Sequence, residues 1–372
     1  TFITSIWNNL ISEISESRKI SKDSLNRYAD AMMTFQPAEK LLHSKLVDSL
    51  VYVDGMNDVM KKLTDLDDIK DINFISHTGM NNVPRSEKMQ KEKIAVIYGV
   101  GGIDMGQSDE ITSEDLVETI NKVKDEKSVK AVVFRVNSPG GSAYGSEQIW
   151  HAIAELKKVK PVIVSMGDYA ASGGYYISCV ADSIIAQPNT LTGSIGIFGT
   201  IPNIEGLNNK IGLTHDGVKT NKMSDAISMN RAFTPDERNM MQSYVNRGYE
   251  LFTKRCADGR GMKIDSIKAI AEGRVWTGED ALRIGLVDKL GGLSDAVKMA
   301  AGKAKLKNYM VKDYPAKEDF MTRLMKDMNT TVEAKVLKSK LGDQNYRLLK
   351  QIEEAKHFNG IQALMPMNIT LN

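Results

Sequence analysis

The chain has 372 residues, of which 42% are hydrophobic and 26% charged, the balance of an ordinary globular protein with room for about two or three domains. A net charge of +2 gives no reason to expect a nucleic-acid partner. The two cysteines, Cys179 and Cys256, lack metal-ligand spacing and neither demand nor exclude an oxidising compartment. No apolar run approaches the length of a membrane span, and no signal peptide is visible. The chain starts at Thr1, in the middle of a helical pattern, so it is expected to be a fragment, and a missing targeting segment says nothing about its parent.

Residues 1–63 read as helical, with Ile3, Ile6, Trp7, Leu10, Ile11 and Ile14 at helical spacing. Their pattern returns downstream. Leu46-Val47-Asp48 reappears as Leu286-Val287-Asp288, and Gly55-Met56-Asn57-Asp58 is echoed by Gly292-Leu293-Ser294-Asp295. Trp7, Arg18, Asp23, Ser24 and Ala29 fall opposite Tyr249, Arg260, Asp265, Ser266 and Ala271 once a short gap is allowed. Ordered agreement of this kind indicates an internal repeat. The expected domains are therefore 1–65, the helical tail of a first repeat; 66–91, a linker with room for an edge strand at 72–75; 92–315, a complete second repeat; and 316–372, a C-terminal extension.

The second repeat opens with Lys93-Ile94-Ala95-Val96-Ile97-Tyr98, an apolar run suited to a strand covered on both faces. Helix is expected over 112–127, strand over 129–136, helix over 146–158, strand over 162–165, helix over 172–180 and strand over 183–186. This alternation predicts βαβ units and a mainly parallel sheet. A long helix is expected over 235–256 and a shorter one over 265–272. The extension carries Phe320, Leu324, Met325 and Met328 at helical spacing, a stripe read as packing, and ends in an apolar stretch at 361–371 that could close a sheet edge.

Three glycine-containing loops follow strands, where α/β sheets present their sites. In Asn137-Ser138-Pro139-Gly140-Gly141-Ser142, proline fixes one torsion and the glycines permit unusual ones, so a backbone N–H can face an oxyanion. In Ala170-Ala171-Ser172-Gly173-Gly174, small residues surround one hydroxyl, and the Gly173 N–H directly follows it. Ser172 fits either a nucleophile or a helix cap. Thr192-Gly193-Ser194-Ile195-Gly196 is placed to line a substrate groove together with Ser138 and Ser142. No phosphate-binding, dinucleotide or metal signature is present, so neither cofactor nor metal is expected.

Taken with Trp276-Thr277-Gly278, these loops resemble the signal peptide peptidase A family, more closely its long bacterial form built from two tandem repeats. The resemblance runs from the back of the first repeat through the whole second one. It implies an α/β fold of ClpP/crotonase-like ββα repeats, here in tandem with the first copy truncated. It also implies a homo-oligomer anchored in the bacterial cytoplasmic membrane, facing outward, that degrades hydrophobic signal peptides left after export. By the same resemblance Ser172 is the nucleophile, and Gly140 or Gly141 with Gly173 forms the oxyanion hole.

Relatives with a Ser-His-Asp triad carry a histidine soon after the serine, and none lies between Ser183 and Phe198. His151 and His215 are read as surface or packing residues. A neutral lysine remains as the base. In single-repeat members its place falls at about Ser224; in two-repeat members it comes from the first repeat, ahead of Thr1 here. The general base is therefore expected to lie outside this chain, with Lys222 as the fallback and Lys219 behind it. Two other readings compete. One is a crotonase-type acyl-CoA enzyme; the other is a catalytically incomplete fragment that holds peptide or mediates oligomerisation.

Overall fold

The computed structural model describes residues 2–77, 79–82, 90–106, 110–315 and 361–364. It contains two compact units, Thr1–Met89 and Gln90–Asn372.

In the first unit, α1 (Phe2–Arg18), α2 (Lys22–Asp30), α3 (Ala38–His43) and α4 (Met56–Thr64) follow one another. Ser21 caps α2 by accepting the Ser24 N–H. Ile11, Ile20 and Leu25 form a small core against Ile14, Tyr28 and Leu46. Arg18 reaches the chain after α3, donating from Nε to the Lys45 carbonyl at 2.9 Å and from Nη1 to Asp48 at 3.0 Å. Residues 72–75 form no strand: Phe74 and Ile75 are exposed, with no strand pairing among the described residues.

The second unit runs β1 (Lys93–Val100), α5 (Ser113–Asp125), β2 (Val129–Ser138), β3 (Gly140–Ser142), α6 (Ala143–Lys157), β4 (Val162–Ala171), α7 (Gly173–Tyr176), β5 (Ser183–Ala186), β6 (Leu191–Gly193) and β7 (Phe198–Gly199). There follow α8 (Glu205–Lys210), α9 (Pro235–Arg260), α10 (Ile264–Ile270), β8 (Val275–Thr277), α11 (Gly278–Arg283), β9 (Lys289–Leu290), α12 (Leu293–Lys303), β10 (Met310–Tyr314) and β11 (Ile361–Leu364). The main sheet has the order β10-β1-β2-β4-β5-β9, and every pair along it is parallel. One face, through Ile94, Val96, Ala131, Val133 and Ile163, packs on Ala296, Ala300 and Ala301 of α12. The other, through Ala95, Ile97, Val132, Phe134 and Val164, packs on α5 and α6. Covering both faces explains why these strands are apolar throughout rather than alternating. The α/β class and the mainly parallel sheet agree with the sequence reading.

Two elements differ from expectation. β4 extends to Ala171 because Tyr169, Ala170 and Ala171 pair with β6, while Ala170 also stays paired with Ser138 of β2 beyond a register shift. The strand therefore carries Ser172 at its very end. The helix after Ser172 stops at Tyr176, since two glycines open it and the chain must turn back toward β5. The helical reading of 316–357, with its methionine stripe, lies outside the described residues; within the extension, residues 361–364 are strand.

Helix α9 starts in a capping box of Thr234 and Glu237 with Pro235 in the first turn, and stops at Gly261, whose φ of 62° suits glycine. At its far end Arg260 donates from Nε to the Gly285 carbonyl at 3.1 Å and from Nη1 to Asp288 at 3.0 Å. Lys45 and Gly285, the two carbonyls' residues, both have positive φ, 58° and 83°. The same two-point clamp thus occurs in each unit at positions that the sequence pattern aligns.

Candidate active site

Ser172 stands where β4 gives way to α7, with φ 52° and ψ −115°. A non-glycine residue pays for that conformation in strain, and sharp strand-to-helix turns of this kind present a side chain at the head of a sheet. Its N–H is fixed to the Gly193 carbonyl at 2.8 Å, and its own carbonyl accepts from Tyr176. Its side chain caps nothing, so the helix-cap reading fails. The residue is 1% exposed and its Oγ has no hydrogen-bond partner among the described residues. Such a group costs about 1–3 kcal/mol. A hydroxyl left in that state at a strained turn is a candidate functional position.

The Pro139 loop lies against this turn. Gly140 has φ 105° and Gly141 φ 153°, the region only glycine enters without penalty. A Cβ on Gly140 would come within 2.7 Å of the Gly173 nitrogen, so the two glycine segments touch backbone to backbone. Gly140 itself donates to Ser138 Oγ at 3.2 Å. Ser138 is fully buried, with its Oγ accepting the Gly140 N–H inside the loop. Ser142 caps α6 by accepting the Gly145 N–H at 3.2 Å. Ser146, which the sequence reading missed, donates to the Ser142 carbonyl at 2.8 Å and sits 2.7 Å from where a Cβ on Gly173 would lie.

On the other side, Thr192 Oγ1 ties β6 to the Ala170 carbonyl at 2.7 Å. Gly193 has φ 76° and is buried against Trp276. Ser194 is 2% exposed, yet borders a cleft with Phe198, Tyr249 and Glu272. The turn is held from behind. Tyr175 Oη donates to the Leu286 carbonyl at 2.9 Å, and Tyr176 Oη donates to Glu147, which also receives Arg255. Burial pushes both phenols above their ordinary pKa, with Glu147 adding to the rise at Tyr176. They remain neutral donors. Phe252 of α9 packs on Tyr176 with ring centroids 4.6 Å apart.

The nominated bases fare differently. Lys222 is 79% exposed and ion-paired with Asp236, whose hydrogen bond raises its pKa. A general base has to be neutral, so the fallback assignment of Lys222 is corrected: its surroundings hold the proton on. Lys219 pairs with Asp225 at 2.8 Å, and Ser224 Oγ donates to the Asn221 carbonyl at 3.0 Å. His151 is exposed on α6, and His215 is an exposed loop residue beside Asn208. No group of three His, Cys, Asp or Glu among the described residues could hold a metal ion. Cys179 and Cys256 are free and buried.

A strained, buried serine between glycine turns, at the head of a mainly parallel sheet, defines the class of site. Comparison with known proteins gives the family of the chain. The profile of peptidase family S49 matches residues 154–307. A Protease 4 of Salmonella typhi is 38% identical over 349 residues, 90% of this chain and 55% of that protein. The chloroplastic serine protease SPPA of Arabidopsis thaliana is 30% identical, over 82% of this chain and 46% of that one. A putative signal peptide peptidase SppA of Enterococcus faecium is 32% identical, over 65% of this chain and 71% of that one. Among solved structures, a point mutant of ClpP1 from Listeria monocytogenes aligns with a TM-score of 0.38 at 16% identity, covering 54% of this chain and 94% of that chain. The chain belongs to peptidase family S49. It spans about half the length of the first curated relatives it matches.

Proposed function

We propose that the chain is the nucleophile-bearing part of a serine endopeptidase that cleaves hydrophobic signal peptides. The observation that carries this reading is the buried, unpartnered Ser172 hydroxyl on a strained turn between two glycine loops. Ser172 Oγ attacks a peptide carbonyl, and the Gly173 N–H with a donor from the Gly140-Gly141 loop holds the resulting oxyanion. The C–N bond then breaks with its nitrogen taking a proton, and water hydrolyses the acyl-enzyme. The base is a lysine amine kept neutral by burial. With Lys222 and Lys219 both ion-paired, that amine comes from a first-repeat segment of a longer parent. The matched clamps of Arg18 with Asp48 and Arg260 with Asp288 support two tandem repeats, residues 1–65 being the back of the first. The parent is a homo-oligomer on the outer face of the bacterial cytoplasmic membrane.

The test uses that parent. It is expected to cut a synthetic export signal peptide and to leave an acyl-CoA thioester intact. Thioester hydrolysis without peptide cleavage would overturn the reading in favour of crotonase-type chemistry.

A further inference from the structure

The helix that follows Ser172 has little hold of its own. α7 is a single turn of four residues, and glycines fill its first two places. One turn is too short to be stable alone, and each glycine weakens it by about 1 kcal/mol against alanine. Its place is therefore set by what its side chains grip. The facing Gly140-Gly141 loop is fixed independently: Ile103 donates to the Gly140 carbonyl at 2.9 Å and its own carbonyl accepts from Ser142 at 2.8 Å. α6 begins directly after that loop. The spacing between the two candidate oxyanion donors thus depends on how α7 is fastened to α6.

A side-chain bond spans from one helix to the other. Tyr176, in the last place of α7, donates from Oη to Glu147 Oε2 at 2.5 Å. Glu147 follows Ser146, the residue packed behind Gly173. Arg255 of α9 meets both oxygens of Glu147, Nη2 with Oε1 at 2.5 Å and Nε with Oε2 at 3.3 Å, and a forked pair of this kind fixes direction as well as distance. Each of these two side chains is 26% exposed, so the pair is shielded more than an ordinary surface bridge. The Arg255 guanidinium also lies 3.7 Å over the ring of Trp150, one turn along α6 from Glu147. Phe252, one turn back along α9, packs on the Tyr176 ring. These contacts close a loop through α6, α7 and α9. None of them is a bond to Ser172 Oγ, so any effect on chemistry passes through the backbone of α7.

We propose that Tyr176, Glu147 and Arg255 are positioning residues for the oxyanion site: the Tyr176–Glu147 bond sets the distance between the Gly173 N–H and the Gly140-Gly141 loop, and Arg255 holds Glu147 within its reach. This rests on the peptidase reading for what the two donors bind. Misplacing a catalytic group by about 1 Å costs on the order of 10²-fold in rate, so a hydroxyl remote from the reacting atoms has leverage on them.

The test uses the full-length parent and its Tyr176→Phe variant, which loses the hydroxyl, keeps the ring on Phe252 and leaves the Glu147–Arg255 pair in place. Three quantities are measured on each: kcat for a synthetic signal peptide; the inhibition constant of a boronate of the same sequence, whose boron accepts a lone pair of Ser172 Oγ and becomes a tetrahedral anion; and the dissociation constant of that peptide with CH2–NH in place of the scissile amide, which has no oxygen at the site. Tyr176→Phe is expected to lower kcat by about 10- to 100-fold and to weaken the boronate in proportion, with binding of the reduced peptide unchanged within about twofold. Glu147→Ala is expected to show the same pattern and serves if Tyr176→Phe does not fold. Glu147→Gln, which keeps both the length and an acceptor for Tyr176, is expected to restore most of the loss. An unchanged kcat and boronate constant in Tyr176→Phe, or equal weakening of the boronate and the reduced peptide, would overturn the proposal. If the parent cuts no signal peptide but its boronate affinity still falls in Tyr176→Phe, the peptidase reading alone fails; if peptide is cut and both constants hold, the positioning alone fails.

Discussion

Ser172→Ala is expected to lower kcat of the full-length parent on a signal peptide by about a thousandfold or more, because no other group takes over a lost nucleophile. Stability is expected to move the other way or not at all. The Oγ is buried without a partner among the described residues, so removing it relieves a desolvation cost of about 1–3 kcal/mol and breaks no bond there. The turn keeps its backbone anchors, the Ser172 N–H to Gly193 and the Tyr176 N–H to the residue 172 carbonyl. Rates and urea midpoints measured on one preparation separate the cases. Activity lost with an equal or higher midpoint marks a functional serine. Activity retained, or lost together with several kcal/mol of stability, would assign the residue to structure.

Gly140→Ala is the second large effect, and it acts through geometry rather than chemistry. At φ 105° an alanine is strained by about 1–3 kcal/mol, and its Cβ would clash with the Ala363 carbonyl oxygen and come within 2.7 Å of the Gly173 nitrogen. An oxyanion held between the Gly140 and Gly173 turns would meet the same Cβ. Loss of one oxyanion donor costs about 10²- to 10³-fold in kcat, and the variant is expected to fall at least that far. Because Ser172 keeps its own surroundings, a small fluorophosphonate that does not need the full groove should still react with it more readily than peptide is cut. Full peptide cleavage by Gly140→Ala would remove this loop from the mechanism.

Much of this architecture was legible in the sequence, for identifiable reasons. Continuous runs such as Ile94-Ala95-Val96-Ile97 announce strands covered on both faces, and the sheet buries all four residues. The Pro-Gly-Gly turn is visible because glycine takes the φ values found at 140 and 141 without strain, and the Ser-Gly-Gly turn because a Cβ on Gly173 or Gly174 would crowd Ser146 or the Ser138 backbone. The alignment of Arg18 and Asp48 with Arg260 and Asp288 pointed to pairs that prove to be the same clamp in each unit.

What stayed hidden depends on distant partners. β4 outruns the strand expected over 162–165 because its last pairing, with β6, is set by residues more than a helix away in sequence. The fallback Lys222 failed because nothing local to it reveals Asp236 across the loop. Ser146 looks like an ordinary helix residue until α6 is packed behind Gly173. β11 is a short apolar stretch whose seat between β3 and β7 no periodicity could specify.

The role of Ser172 is tested most directly by reacting the full-length parent with a fluorophosphonate and mapping the adduct by mass spectrometry. A single modified peptide is expected, with the adduct on Ser172, and no adduct at that position in Ser172→Ala. An adduct on Ser138, Ser142, Ser146 or Ser194 with Ser172 unmodified would contradict it.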